Sequence, residues 1–164
     1  MLAELCLRLD AQTVVAEQHV AVDVDRAGPA QIRNRLCRSV GDHIRWFAFV
    51  DDDDLVDVDH LEQLCCEADN ADVIWSLPRI VGRDDHGIVH YCNVDRLRKH
   101  NTIPVTTLVR REMFDRVGGF PVDAYDEDWQ LWLNILDAGG RFRCVHKTTW
   151  TYRFHDTNRT YDHP

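Results

Sequence analysis

Residues 44–50 form an apolar run that ends in four consecutive carboxylates, Asp51, Asp52, Asp53 and Asp54. The run has the length and composition of a short buried strand. The acids that follow repel one another and lose hydration if buried, so water or a divalent cation must compensate them. In open α/β sheets, ligand sites lie beyond the carboxyl ends of strands. Carboxylates placed there can hold Mg²⁺ or Mn²⁺ while open coordination positions take diphosphate oxygens. A solvated acidic turn is the other reading these residues allow.

Composition narrows the field. A chain of 164 residues suits one domain with a real core. Acidic residues outnumber basic ones by 28 to 19, for a net charge of -9, so no nucleic-acid partner is expected. A phosphate ligand remains compatible, because a metal or local Arg can supply positive charge. No apolar run reaches transmembrane length and Met1 does not open a signal peptide, which predicts a cytoplasmic domain without a membrane segment. Cys6, Cys37, Cys65, Cys66, Cys92 and Cys144 are scattered without a CxxC, and read as free thiols.

In chain order, Leu2, Cys6, Leu5 and Leu9 predict an amphipathic helix over residues 1–12. Residues 17–25 alternate, with Val20, Val22 and Val24 on one side, and read as a strand. Gly28-Pro29 predicts a turn and a helix start. That helix would run to about Val40 and bury Ile32, Leu36 and Val40. Arg33 and Asn34 near its beginning could meet an anion, or belong to a solvated basic face.

Residues 58–68 read as a helix with Leu61, Leu64 and Cys65 inward. Residues 72–77 read as a strand closed by Pro78, and residues 88–92 as an edge strand. The β-branched stretch 102–109 contains Pro104 and so reads as an edge strand. A short helix over 110–117 would end at Gly118-Gly119. Alternating strands and helices predict an α/β fold with a partly parallel sheet.

Two later stretches carry chemistry. Trp129, Trp132, Leu133 and Leu136 recur at helical spacing, which puts Asp126, Glu127 and Asp128 in a first turn. The helix dipole favours ionised carboxylates there, and one close to a bound hydroxyl can act as general base. Ordinary acid enrichment at a helix start is the plainer alternative. In residues 149–155, Trp150, Tyr152 and Phe154 share one face of a strand, and Thr151, Arg153 and His155 the other. Arg153 could bind phosphate and His155 could ligate a metal.

Together these stretches resemble a family 2 glycosyltransferase of the GT-A fold. Gly28-Pro29-Ala30-Gln31-Ile32-Arg33-Asn34 is similar to that family's small-residue turn and Arg-Asn pair. Phe49-Val50-Asp51-Asp52-Asp53-Asp54 resembles its strand-end DxD motif. Val117-Gly118-Gly119-Phe120 and Glu127-Asp128-Trp129-Gln130-Leu131-Trp132 resemble its Gly-Gly-Phe turn and Glu-Asp-Trp helix start. Tyr152-Arg153-Phe154-His155 resembles its closing Tyr-Arg-x-His. Each motif is weak singly, but their order over residues 12–160 is more specific.

The resemblance implies a Rossmann-like, mixed and mostly parallel sheet flanked by helices. Residues 1–60 would bind the nucleotide, and residues 61–164 would carry the acceptor and catalytic groups. It implies an inverting transferase that moves a sugar from a nucleotide-diphosphate sugar to a hydroxyl acceptor, with Mn²⁺ or Mg²⁺. By position, Asp51, Asp53 and His155 would meet the metal. Asp23, Arg33, Asp51, Asp52 and Arg153 would surround the donor, and Asp128 would be the base. In the family an apolar strand precedes the first helix. Here the chain begins inside that helix, which implies an N-terminally truncated version: either the gene starts upstream of Met1, or the sheet closes the gap, or another chain supplies an edge. Two rivals follow: a sugar-phosphate nucleotidyltransferase, without its expected Gly-rich loop, and a truncated nucleotide-sugar-binding module.

Overall fold

The computed structural model describes residues 1–82 and 93–155. Five helices (α1 Leu2–Asp10, α2 Pro29–Ser39, α3 His60–Cys65, α4 Arg111–Arg116, α5 Glu127–Asp137) accompany five strands among these residues. The strands are β1 Trp46–Ala48, β2 Leu55–Val56, β3 Val73–Val81, β4 Thr107–Arg110 and β5 Phe142–Arg153, in the order β1-β4-β3-β5-β2. Only β3 and β5 pair in parallel; β1 with β4, β3 with β4, and β2 with β5 are antiparallel. The sheet is mixed, as expected, but its described pairings are mostly antiparallel, which corrects the mostly parallel expectation.

The physical reason lies partly in residues 17–25. Their alternation suits a half-buried strand, yet among the described residues they form none. Val20, Val22 and Val24 are 55%, 71% and 80% exposed. Alternation forms a strand only where a neighbour offers backbone partners. The stretch is tied instead through Glu17, which takes a 2.6 Å hydrogen bond from His43 Nε2.

Two proline positions also differ from expectation. β4 lies between β1 and β3 rather than at an edge, because Pro104 falls just before it. β3 continues through Pro78 to Val81. Beyond Trp75 it pairs only with β5, and register shifts between Ser76 and Leu77 and between Leu77 and Pro78 accommodate the proline. The strand suggested over residues 88–92 lies outside the described residues.

The helices bury other faces than their periodicity suggests. In α2 the buried side chains are Ala30, Asn34 and Cys37, while Ile32, Leu36 and Val40 are half-buried. In α5 they are Leu131, Trp132 and Ile135, with Glu127 at the start. In α3, Leu61 and Leu64 point inward as expected and Cys65 is exposed. The main core joins the α2 and α5 faces to Phe47, Phe49, Phe114 and Phe120, whose rings meet edge-on or tilted at centroid separations of 5.0–6.4 Å, while Leu64 packs in a second cluster with Ala71, Ile74 and Leu108. A smaller cluster seats Leu5 of α1 on Val56 and Trp150. Cys6, Cys37, Cys65 and Cys66 are free, but Cys144 is disulfide-bonded, which corrects the expectation of six thiols. Disulfide pairing depends on Cα distances in space, which sequence separation does not disclose.

Candidate active site

The strand order explains why the four acids form a site. β1 and β2 lie on opposite edges of the sheet, yet only six residues separate Ala48 from Leu55. That connection must cross the end of the intervening strands, and it carries Asp51 to Asp54 with it. Its contacts mark the path. Asp54 Oδ2 accepts a 3.3 Å hydrogen bond from Thr106 Oγ1, just before β4. Asp53 Oδ2 lies 3.0 Å from His155 Nε2, just after β5. Asp52 is exposed.

Asp51 is held differently. Arg33, projecting from α2, pairs with Asp51 Oδ1 through one guanidinium nitrogen and with Glu127 Oε1 at 2.9 Å through another. Burial works against the charged guanidinium, but Asp51 and then Glu127 more than offset it, so its pKa is raised. The guanidinium carbon stacks 5.3 Å from the Phe120 ring centroid. Arg33 thus ties the strand-end acids to the first turn of α5.

The neighbouring Asn34 does not meet an anion, as its sequence position allowed; it is a buried clamp. Its Nδ2 donates to Phe120 O at 2.7 Å and its Oδ1 accepts from Phe120 N at 2.9 Å. Both main-chain groups of Phe120 are satisfied by one side chain. The Arg-Asn pair therefore divides its work between an ion-pair bridge and the Gly-Gly-Phe turn.

Asp128 is half-buried at the start of α5. Its Oδ1 accepts from the Trp129 N–H at 2.7 Å, and both oxygens lie 3.2 Å from Asn101 Nδ2. Burial first, and then the charge of Glu127, push its carboxyl up to about 6, against the Trp129 N–H, Asn101 and Arg33. A base with such a pKa is ionised at neutral pH and still binds a proton well. Glu127 is buried and salt-bridged, so it is the poorer candidate for that task.

The remaining candidates are placed as follows. Asp23 stands in the irregular stretch before α2, where its two oxygens accept from the Ala27 and Gly28 N–H groups at 2.7 and 2.8 Å. It shapes the turn into the helix. Arg153 reaches Glu4 of α1 at 2.7 Å. Phe154 is buried opposite it and Tyr152 half-buried.

Asp54 is the residue that sequence reasoning missed. It is 3% exposed, and its Oδ1 has no hydrogen-bond partner among the described residues. Burial, then the charges of Asp51 and Asp53, raise its pKa to about 8. The signal available beforehand was its place as the last acid before β2, at the point where the chain re-enters the sheet. The unfolded chain releases this proton near the ordinary carboxyl pKa, whereas the folded chain keeps it until about pH 8. The associated stability is complete below about pH 4, falls as pH rises, and is exhausted above about pH 8. In EDTA-treated protein, Asp54→Asn should therefore gain stability relative to wild type between about pH 5 and about pH 9 in urea melts. An unchanged difference across that range would show that Asp54 is ionised throughout.

Among the described residues no three His, Cys, Asp or Glu side chains converge on one point as a metal cage would require. Asp53 and His155 are nevertheless adjacent. Mg²⁺ and similar ions are commonly held by one or two protein groups and complete their shell with substrate phosphates and water. The hard oxygen of Asp53 and the imidazole of His155 fit that pattern, whereas Asp51 is turned to Arg33.

No family model and no curated protein sequence matches this chain. Solved structures do. The chain superposes on S. aureus TarS 1-349 in complex with UDP-GlcNAc with a TM-score of 0.75 and 16% identity, covering 99% of this chain and 57% of that one. Against the same segment in complex with UDP the TM-score is 0.68 at 17% identity, over 93% and 56% of the two chains. Against S. aureus TarS itself it is 0.72 at 16%, over 93% and 34%. At these identities the likeness is one of fold, and the chain spans little more than half of the TarS 1-349 structures. Among the described residues no helix is long and apolar enough to cross a membrane.

Proposed function

We propose that this chain is a glycosyltransferase domain of the GT-A type, which binds a nucleotide-diphosphate sugar and transfers the sugar to a hydroxyl acceptor with inversion. The carrying observation is the Arg33 bridge: it brings the strand-end acids and the Asp128 turn, far apart in sequence, into one site. The likeness to TarS, a family 2 glycosyltransferase solved with UDP-GlcNAc and UDP, supports the same reading and favours a uridine donor.

In this reading Asp128 takes the proton of the acceptor hydroxyl as that oxygen attacks the anomeric carbon. The diphosphate departs on the opposite face, toward Asp53 and His155. Those two side chains would hold Mn²⁺ or Mg²⁺, which supplies charge neutralisation for the leaving group when bound. Arg33 fixes Asp51 and Glu127 around the donor. Asp23 shapes the turn into α2, and Asp52 and Arg153 would line the outer rim of the donor site.

Release of nucleoside diphosphate from a panel of nucleotide sugars, UDP-GlcNAc first, tests the activity. Asp53→Ala should weaken Mn²⁺-dependent UDP binding at least tenfold in calorimetry while the melting temperature holds, since it removes a charge-assisted ligand worth about 1.5–3 kcal/mol. Unchanged Mn²⁺ and UDP affinity would remove the metal assignment. A binding module without turnover is the second reading. It is favoured by the exposed Val20, Val22 and Val24, which stand outside the sheet where a nucleotide-binding strand was expected. UDP-GlcNAc binding with no UDP release would establish it.

A further inference from the structure

We propose that Asn101 is a positioning residue for the Asp128 base, holding the carboxylate so that Oδ2 faces the incoming hydroxyl. The inference rests on the reading of Asp128 as base and assigns a role to a residue that no motif marks. Asn101 lies in the irregular segment before β4, but that segment is not loosely held. Trp129 Nε1 donates to Leu97 O at 2.6 Å and Trp132 Nε1 donates to Ile103 O at 3.1 Å. Arg98 pairs with Asp137 at 2.6 Å. Thr102 Oγ1 donates to Asn93 O at 2.9 Å. Two indoles and an ion pair of α5 therefore fix the segment on both sides of Asn101, and the amide is delivered to Asp128 by the same helix that carries it.

The hydrogen bonds divide the two carboxylate oxygens. Oδ1 accepts from both the Trp129 N–H and Asn101. Oδ2 accepts from Asn101 alone among the described residues. A carboxylate oxygen has two lone-pair directions, so Oδ2 keeps one open. It is the atom placed to take a proton. In the transfer, the acceptor O–H proton passes to Oδ2 as the new C–O bond forms and the anomeric C–O bond to the diphosphate breaks. Asn101 is exposed, so the carboxylate it holds is reached from solvent on that side. Its amide cannot ionise, so it steadies the charged carboxylate without competing for the proton. The charged groups facing Asp128 are Glu127, which opposes its ionisation, and Arg33, which favours it.

The test uses Asn101→Ala in the full chain, with two readouts. The first is the carboxyl-carbon NMR titration of Asp128, assigned with Asp128→Asn, which needs no turnover. Loss of a donor to the ionised form should move its midpoint up by about one pH unit. The second is UDP release from UDP-GlcNAc with water as acceptor. Turnover should fall about tenfold with KM unchanged, and the acid limb of the pH profile should move upward with the NMR midpoint. Asn101→Ser, which keeps a donor, should recover part of both, and Asn101→Ala should add nothing in an Asp128→Asn background. An unmoved Asp128 midpoint overturns the positioning role. If Asp128→Asn abolishes release while Asn101→Ala is silent, the role of Asn101 fails alone. If Asp128→Asn retains full release, the base assignment itself falls.

Discussion

Replacing Asp128 by Asn is expected to leave UDP-GlcNAc binding intact and to lower turnover by about 10²-fold or more. The substitution keeps the size of the side chain. Its amide oxygen can still accept from the Trp129 N–H, so the start of α5 should survive. What disappears is an oxygen that can take a proton. The position is suited to that work because burial and Glu127 raise the carboxyl to about 6, while Trp129, Asn101 and Arg33 limit the rise. The basic form therefore dominates above about pH 6, and turnover should fall as pH drops through that value in the wild type. Glu127 cannot easily substitute, because it is buried against Arg33. Near wild-type UDP release from the variant would move the base elsewhere.

Gly119→Ala should be among the most destabilising single-methyl additions in this chain, costing about 3 kcal/mol or more. Gly119 has φ +78, a region where a side chain costs roughly 1–2 kcal/mol. An added Cβ would also stand 2.5 Å from Asn34 Oδ1 and 3.0 Å from Phe114 Cζ. Asn34 would have to withdraw from Phe120, leaving buried main-chain groups unsatisfied at about 1–3 kcal/mol each. Gly118 provides the control. Its φ is +85, but a Cβ there would meet nothing within 4 Å. Gly118→Ala should therefore show the backbone cost alone, about 1–2 kcal/mol. Urea denaturation of the two variants separates conformation from close approach, and equal losses would mean the Asn34 clamp contributes little. Because Phe120 carries the stacked Arg33, Gly119→Ala should also weaken UDP binding.

The acidic turn, the helix start at Asp128 and the Arg-Asn pair were all visible in the chain, because each depends on local chemistry. Four adjacent carboxylates after an apolar run mark where the strand ends. Acids precede an apolar helical face because the dipole favours them there. Pro29 after Gly28 suits a helix start because its fixed φ fits the first turn and its missing N–H is not needed there. The order of the motifs was likewise a property of sequence alone, and the shared fold agrees with it.

The tertiary structure decided what those groups do. Asp54 and Asp52 are chemically identical in the sequence, yet one is buried, with an oxygen that has no partner among the described residues, and the other is exposed. The difference arises because the turn crosses the sheet end and re-enters it at β2. Arg33 and Asn34 are neighbours, but the 3.6-residue pitch of α2 sends one to Asp51 and Glu127 and the other to Phe120. Residues 17–25 have the alternation of a strand and remain outside the sheet, since a strand exists only where another supplies its hydrogen bonds. Asn101 carries no signal in the sequence. It is selected by two tryptophans whose indole N–H groups had to find carbonyl partners once buried or half-buried.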